Sequence, residues 1–115
     1  MIPIQEVDFH TDKKVFYKLH IISSTGTTPF FAEVFVYDSE LDPPFTSTVN
    51  FHQNFQNSKA AFTHVLNWVK SYSQRHGYTV NLINNPCNCE FLSKADQQQS
   101  VQSAGLKIQV KVNGT

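Results

Sequence analysis

Ser58-Lys59-Ala60-Ala61-Phe62-Thr63-His64-Val65-Leu66-Asn67-Trp68-Val69-Lys70-Ser71-Tyr72-Ser73-Gln74-Arg75-His76 is the stretch that decides how this chain folds. With about 100° of rotation per residue, Ala61, Phe62, Val65, Leu66, Val69 and Tyr72 fall on one stripe. Lys59, Thr63, Asn67, Lys70 and Gln74 fall on the other side. Asn57 or Ser58 offers a side-chain oxygen to an orphan amide at the helix start. Gly77 stands where a left-handed residue closes a helix, and Arg75 and His76 suit the negative end of the dipole. A helix with one apolar stripe needs a surface to cover.

The residues before it supply that surface. Val15 to Ile22 alternates, with Val15, Tyr17, Leu19 and Ile21 on one face and Phe16, Lys18, His20 and Ile22 on the other. Ser23 to Pro29 is a turn cluster of hairpin length. Phe30 to Tyr37 reads as a second strand, with Phe30, Ala32, Val34 and Val36 against Phe31, Glu33, Phe35 and Tyr37. After a loop closed by Pro43-Pro44, a third strand runs from Phe45 to His52. Beyond the helix, Tyr78 to Ile83 and Leu106 to Val112 alternate again, and 90–92 is a short additional strand. The first dozen residues read as an irregular arm, and 93–105 as a polar loop. The expected fold is one α+β domain over 1–115: a mainly antiparallel sheet of about five strands with one long helix on one face, in the order β-β-β-α-β-(β)-β.

Length and composition agree with that class. A chain of 115 residues suits one domain. It can bury roughly 60–70 % of its unfolded surface without disulfide or metal staples. Charged residues are 16 %, below a typical quarter, so Asn, Gln, Ser and Thr must cover much of the surface. Ten phenylalanines supply core volume. Nine basic residues balance nine acidic ones, which argues against a general attraction to nucleic acid or anionic lipid. Arg75 is the one arginine. Two closely spaced cysteines, the lack of a secretory start and the lack of a membrane-length apolar run point to a cytoplasmic protein. Asn113-Gly114-Thr115 matches a glycosylation pattern and is read as chance.

A sheet covered on one face should be polar on the other. The first two strands break that rule, because Phe16, Ile22, Phe31, Phe35 and Tyr37 are left on the uncovered side. Either the N-terminal arm and loops fold across them, or they meet another molecule. The leading expectation is therefore a small non-enzymatic protein-interaction module, acting as a homodimer or an adaptor through Phe16, Phe31, Phe35 and Tyr37.

Other chemistry is thinner. Cys87 and Cys89 form a C-x-C, too tight for a common zinc knuckle and one residue short of a C-x-x-C redox pair. His64 and His76 lie on different sides of the helix. His20 and His52 are neighbours only if their strands pair. Asp38, Glu40 and Asp42 form an acidic loop without the glycine and spacing of a calcium site. No nucleophile elbow or phosphate-cradling glycine loop occurs. The expectation is no metal and no cofactor. The alternative is a small ligand- or metal-binding domain or enzyme with a pocket at the sheet, using His20, His52 or the Cys87/Cys89 turn. A third reading, single-stranded nucleic-acid binding by sheet aromatics, is disfavoured by the neutral charge.

Overall fold

The computed structural model describes residues 2–25, 27–85 and 92–112. Six strands and two helices follow one another: β1 (Ile2–Thr11), β2 (Val15–Ser23), β3 (Phe30–Asp38), β4 (Phe45–Phe55), α1 (Ser58–His76), β5 (Val80–Asn85), α2 (Lys94–Ser103) and β6 (Val110–Val112). The strands form one α+β sheet in the order β4-β3-β2-β1-β5-β6. All neighbours are antiparallel except β5 and β6. A parallel pair needs a long crossover, and the connection carrying α2 provides it.

The helix expected at 58–76 forms over those residues. Asn57 Oδ1 accepts from the Ala60 amide at 2.8 Å. Gly77 closes the other end at φ 77°, a left-handed conformation that favours glycine. Ala61, Phe62, Val65, Leu66, Val69 and Tyr72 are buried against Val7, Phe9, Tyr17, Leu19, Ile21, Val34 and Val36. The Phe62 ring stacks on Phe9 with centroids 6.0 Å apart. Each large apolar side chain buried this way contributes about 1.5–3 kcal/mol.

Three expectations are corrected. The first residues are not an arm: β1 enters the sheet between β2 and β5. Its alternation sets Gln5, Val7 and Phe9 inward and Glu6, Asp8 and His10 outward, and the outward polar residues hide a strand whose inner face is core. Residues 93–105 are not a loop: Ser93 caps α2 by accepting from the Asp96 amide at 3.1 Å. Among the described residues there are therefore six strands and two helices, in the order β-β-β-β-α-β-α-β. The strand expected at 106–112 is reduced to Val110–Val112. Before it, the Gln98 side chain takes the place of a neighbouring strand. Its Nε2 donates to Ile108 O at 3.1 Å, and its Oε1 accepts from the Val110 amide at 3.1 Å. Of the strand expected at 90–92, Glu90 and Phe91 lie outside the described residues.

The β5 end of the core is held by amides. Gln5 Nε2 donates to Asn85 Oδ1 at 3.1 Å. Asn85 Nδ2 donates to Gln97 Oε1 at 2.8 Å and to Lys111 O at 3.2 Å. Gln97 Nε2 donates to Leu92 O at 3.2 Å. Gln5, Asn85 and Gln97 are all buried, so each lost partner leaves a desolvated polar atom. Asn85→Leu is expected to cost about 2–4 kcal/mol of unfolding free energy in urea titration. An unchanged midpoint would show that the network contributes nothing.

Candidate interaction surface

Both helices lie on one side of the sheet, and their buried residues join a single core with the inward rows of the strands. Among the described residues no element covers the other side. The strand registers order the side chains there into rows. His10 of β1 is opposite Phe16 of β2, which is opposite Tyr37 of β3, which is opposite Thr46 of β4. The next row is Asp8, Lys18, Phe35 and Thr48, and the next is Glu6, His20, Glu33 and Asn50. Ile22 and Phe31 pair beyond them.

Phe16, Phe31, Phe35 and Tyr37 thus all stand on this open face. Phe16 lies between His10 and Tyr37, at ring distances of 5.0 and 5.6 Å. Phe35 meets His20 edge to face at 5.1 Å. Tyr37 is 42 % exposed, one of three large apolar side chains so exposed among the described residues, with Leu41 and Phe45. Phe16, Phe31 and Phe35 are half-buried by their sheet neighbours alone. Beside Phe35 and Tyr37, the short Thr46 and Thr48 leave a shallow hollow of about 400 Å³.

A polar cluster sits among these rings. His20 Nε2 is 2.9 Å from Glu6 Oε1, and His20 Nδ1 is 3.7 Å from Glu33 Oε1. Lys18 Nζ is 3.6 Å from the same Glu6 oxygen. Burial pushes the Asp8 carboxyl above the usual carboxylate range, while Lys18 pulls it the other way. The face carries Glu6, Asp8 and Glu33 against Lys18 and, at the β6 end of the row through Asp8, Lys111, three carboxylates to two ammonium groups.

The other expected sites fare differently. His20 and His52 belong to β2 and β4, which β3 separates, so they are not brought together. Cys87 and Cys89 lie outside the described residues. Among the described residues no group of three or more His, Cys, Asp or Glu is placed to hold a metal ion, and no helix is long and apolar enough to cross a membrane. Trp68 packs against Tyr72, Phe51 and Tyr17 at ring distances of 5.4, 6.0 and 6.4 Å. His64 is exposed beside Phe51 and Phe55. It lines a groove of about 500 Å³ with Phe55, Lys59 and Thr63, on the helix side rather than the open face.

Asp38 is the residue that the sequence hid. Placed in the acidic loop, it is instead 1 % exposed. Its carboxylate accepts from Tyr72 OH at 3.2 Å, from Tyr78 OH at 3.0 Å and from the Glu40 amide at 3.1 Å. Those bonds satisfy a charge that would otherwise be costly to bury. His76 lies against both phenol rings, at 4.4 Å from Tyr72 and 5.7 Å from Tyr78. The group ties the end of β3 to the end of α1 and the approach to β5.

No family model, curated protein or solved structure matches the chain.

Burial and the Asp38 carboxylate push Tyr72 up from its ordinary value of 10.0 to about 12. Tyr78 is raised by burial and by Asp38, and Tyr17 chiefly by burial. Above pH 10 the unfolded chain releases phenolic protons that the folded chain keeps. Stability is therefore expected to hold below pH 10 and to fall as pH rises towards 12. Denaturant midpoints across that range check this, and Tyr72→Phe should flatten the fall. An equal fall in the variant would remove Tyr72 from the account.

Proposed function

We propose that this chain is a non-enzymatic protein-interaction module, and that the open face of its sheet is the contact surface. Phe16, Phe31, Phe35 and Tyr37 are the apolar contacts. The observation that carries the reading is their convergence, from two strands, on the one sheet face that no described element covers. Contiguous exposed aromatics rimmed by polar groups mark interaction sites on soluble proteins.

The charges choose the partner. Glu6, Asp8 and Glu33 gather beside the aromatics with Lys18, while Lys111 stands apart at the β6 end, so two copies meeting over the aromatics would set carboxylates near carboxylates. Like-charge juxtaposition across an interface is unfavourable. A protein segment that offers apolar side chains together with lysine or arginine fits better. The hollow beside Phe35, floored by Thr46 and Thr48, gives one such apolar side chain a seat. The chain then acts as an adaptor through this face.

Two synthetic peptides with the same apolar residues, one carrying lysines and the other glutamates, test this in an NMR titration. The lysine peptide is expected to shift the amides of 31–37, and the glutamate peptide to leave them in place. In Phe35→Glu the shifts should vanish while the circular dichroism spectrum is retained. The reading fails if both peptides act alike, or if Phe35→Glu unfolds and so shows Phe35 to be core.

A further inference from the structure

Among the described residues the sheet ends in two strands that are built differently. At one end, β6 is three residues long and carries the exposed Lys111 at its centre. Short length and lysine are the usual means of keeping an edge from pairing with another chain. At the other end, β4 has eleven residues, Phe-Thr-Ser-Thr-Val-Asn-Phe-His-Gln-Asn-Phe, with no Asp, Glu, Lys, Arg or Pro among them. Its pairing with β3 is regular from Phe45 to Phe51, and the register shifts only beyond that, before Phe55 meets Phe30. No described strand lies on its far side. Along seven regular residues of neutral strand, alternate residues therefore turn their backbone donors and acceptors to an edge that no described strand pairs with.

We infer that β4 pairs antiparallel with β4 of a second copy, about a two-fold axis at Thr48, to make one twelve-stranded sheet. The sequence is self-complementary in that register. Phe45 falls opposite the partner's Phe51, Thr46 opposite the partner's Asn50, Ser47 opposite the partner's Val49, and Thr48 opposite the partner's Thr48. Because side chains alternate along a strand, Phe45, Ser47, Val49 and Phe51 share the helix side and Thr46, Thr48 and Asn50 share the open side. Phe45 with Phe51, Thr46 with Asn50 and Thr48 with Thr48 join like with like, and the small Ser47 fits beside Val49. Phe45, 41 % exposed in the single chain, gains an aromatic neighbour, and no charge is set opposite a charge. A C₂ contact of this kind is the commonest way for identical chains to associate. The neutral edge lacks the repulsion that the acidic open face would bring to a self-contact. Both open faces then lie on one side of the joined sheet, where an adaptor would offer two equivalent surfaces. The edge contact itself does not depend on that role.

An edge contact of one strand is small, below about 1,200 Å² in total, so affinity in roughly the micromolar range is expected. Sedimentation of the whole chain from sub-micromolar to several hundred micromolar concentrations, alone and as variants, tests the inference. The wild type should pass from monomer to dimer. Hydrogen exchange at the dimer end should show new protection of amides within 45–51. Thr48→Lys and Thr48→Glu each set like charges at the axis and should weaken dimerisation by at least about tenfold. Thr48 is exposed in the single chain, so both variants should keep the wild-type circular dichroism spectrum. Mixing the two should restore a dimer, because unlike charges then meet. Phe35→Glu, which tests the open face, should leave the dimer intact. A wild type that stays monomeric overturns the inference. So does a dimer without protection in 45–51, or one that survives Thr48→Lys and is lost in Phe35→Glu.

Discussion

One amphipathic helix can cover only one face of a sheet, and this constraint orders the rest of the structure. The α1 stripe closes on Tyr17, Leu19 and Ile21 of β2 and on Val34 and Val36 of β3. A strand has a side-chain period of two, so fixing those residues inward fixes Phe16, Lys18, His20, Ile22, Phe31, Glu33, Phe35 and Tyr37 outward. No change of register could hide the outward aromatics without exposing the core row. The open face is thus a consequence of the core. Its apolar content exceeds what folding requires, since polar residues would serve as well at positions that touch no helix. That surplus is what the proposed contact role accounts for.

The sheet is packed by two kinds of chemistry. Under α1, apolar side chains interdigitate and rings stack, as at Phe9 and Phe62. Beyond β1, where α1 no longer reaches, amides take over. Gln5, Asn85 and Gln97 bond in a chain that leaves Gln5 Oε1 buried without a partner among the described residues, and Gln98 bridges Ile108 and Val110 as a strand would. The polar α2 is held by these bonds and by Val101 in the core. Thr63 and Ser100, 2.8 Å apart, join it to α1. Buried amide networks of this sort are directional where apolar contact is not. They fix where β6 lies on a part of the sheet that hydrophobic burial alone would specify weakly.

This division explains what was legible in the sequence. The α1 helix could be read to its ends because periodicity, cap and terminal glycine agree. The strands β2 and β3 could be read because β-branched and aromatic residues alternate. The strand β1 was lost because Gln5 stands on its inner row and Glu6, Asp8 and His10 on its outer row, so no apolar zigzag survives. The helix α2 was lost because its buried anchors are Gln97, Ser100 and Val101 rather than an apolar stripe. The four open-face aromatics could be located as a surplus on the second face of two strands. Their companions could not: His20 meets Glu6 and Glu33 through cross-strand register, which single-strand patterns do not contain. Asp38 was further out of reach, since its phenol partners lie 34 and 40 positions along the chain.

Zero net charge hides an uneven distribution, and the unevenness separates two kinds of contact. The open face sets carboxylates beside aromatics, and under the proposed contact role its selectivity would come as much from the acidic surfaces it repels as from the rings it offers. The β4 edge carries no formal charge, and in the inferred dimer its specificity would come from backbone direction and from the match of Phe45 with Phe51 across the axis. A surface that repels its own copy and an edge that matches its own copy do not compete. Under the two proposals each would disfavour the occupant that suits the other, because carboxylates beside the rings disfavour a second such face and a neutral edge offers a basic segment no charge to pair with. With no global charge to drive association or prevent it, the proposed contacts rest on this local arrangement alone.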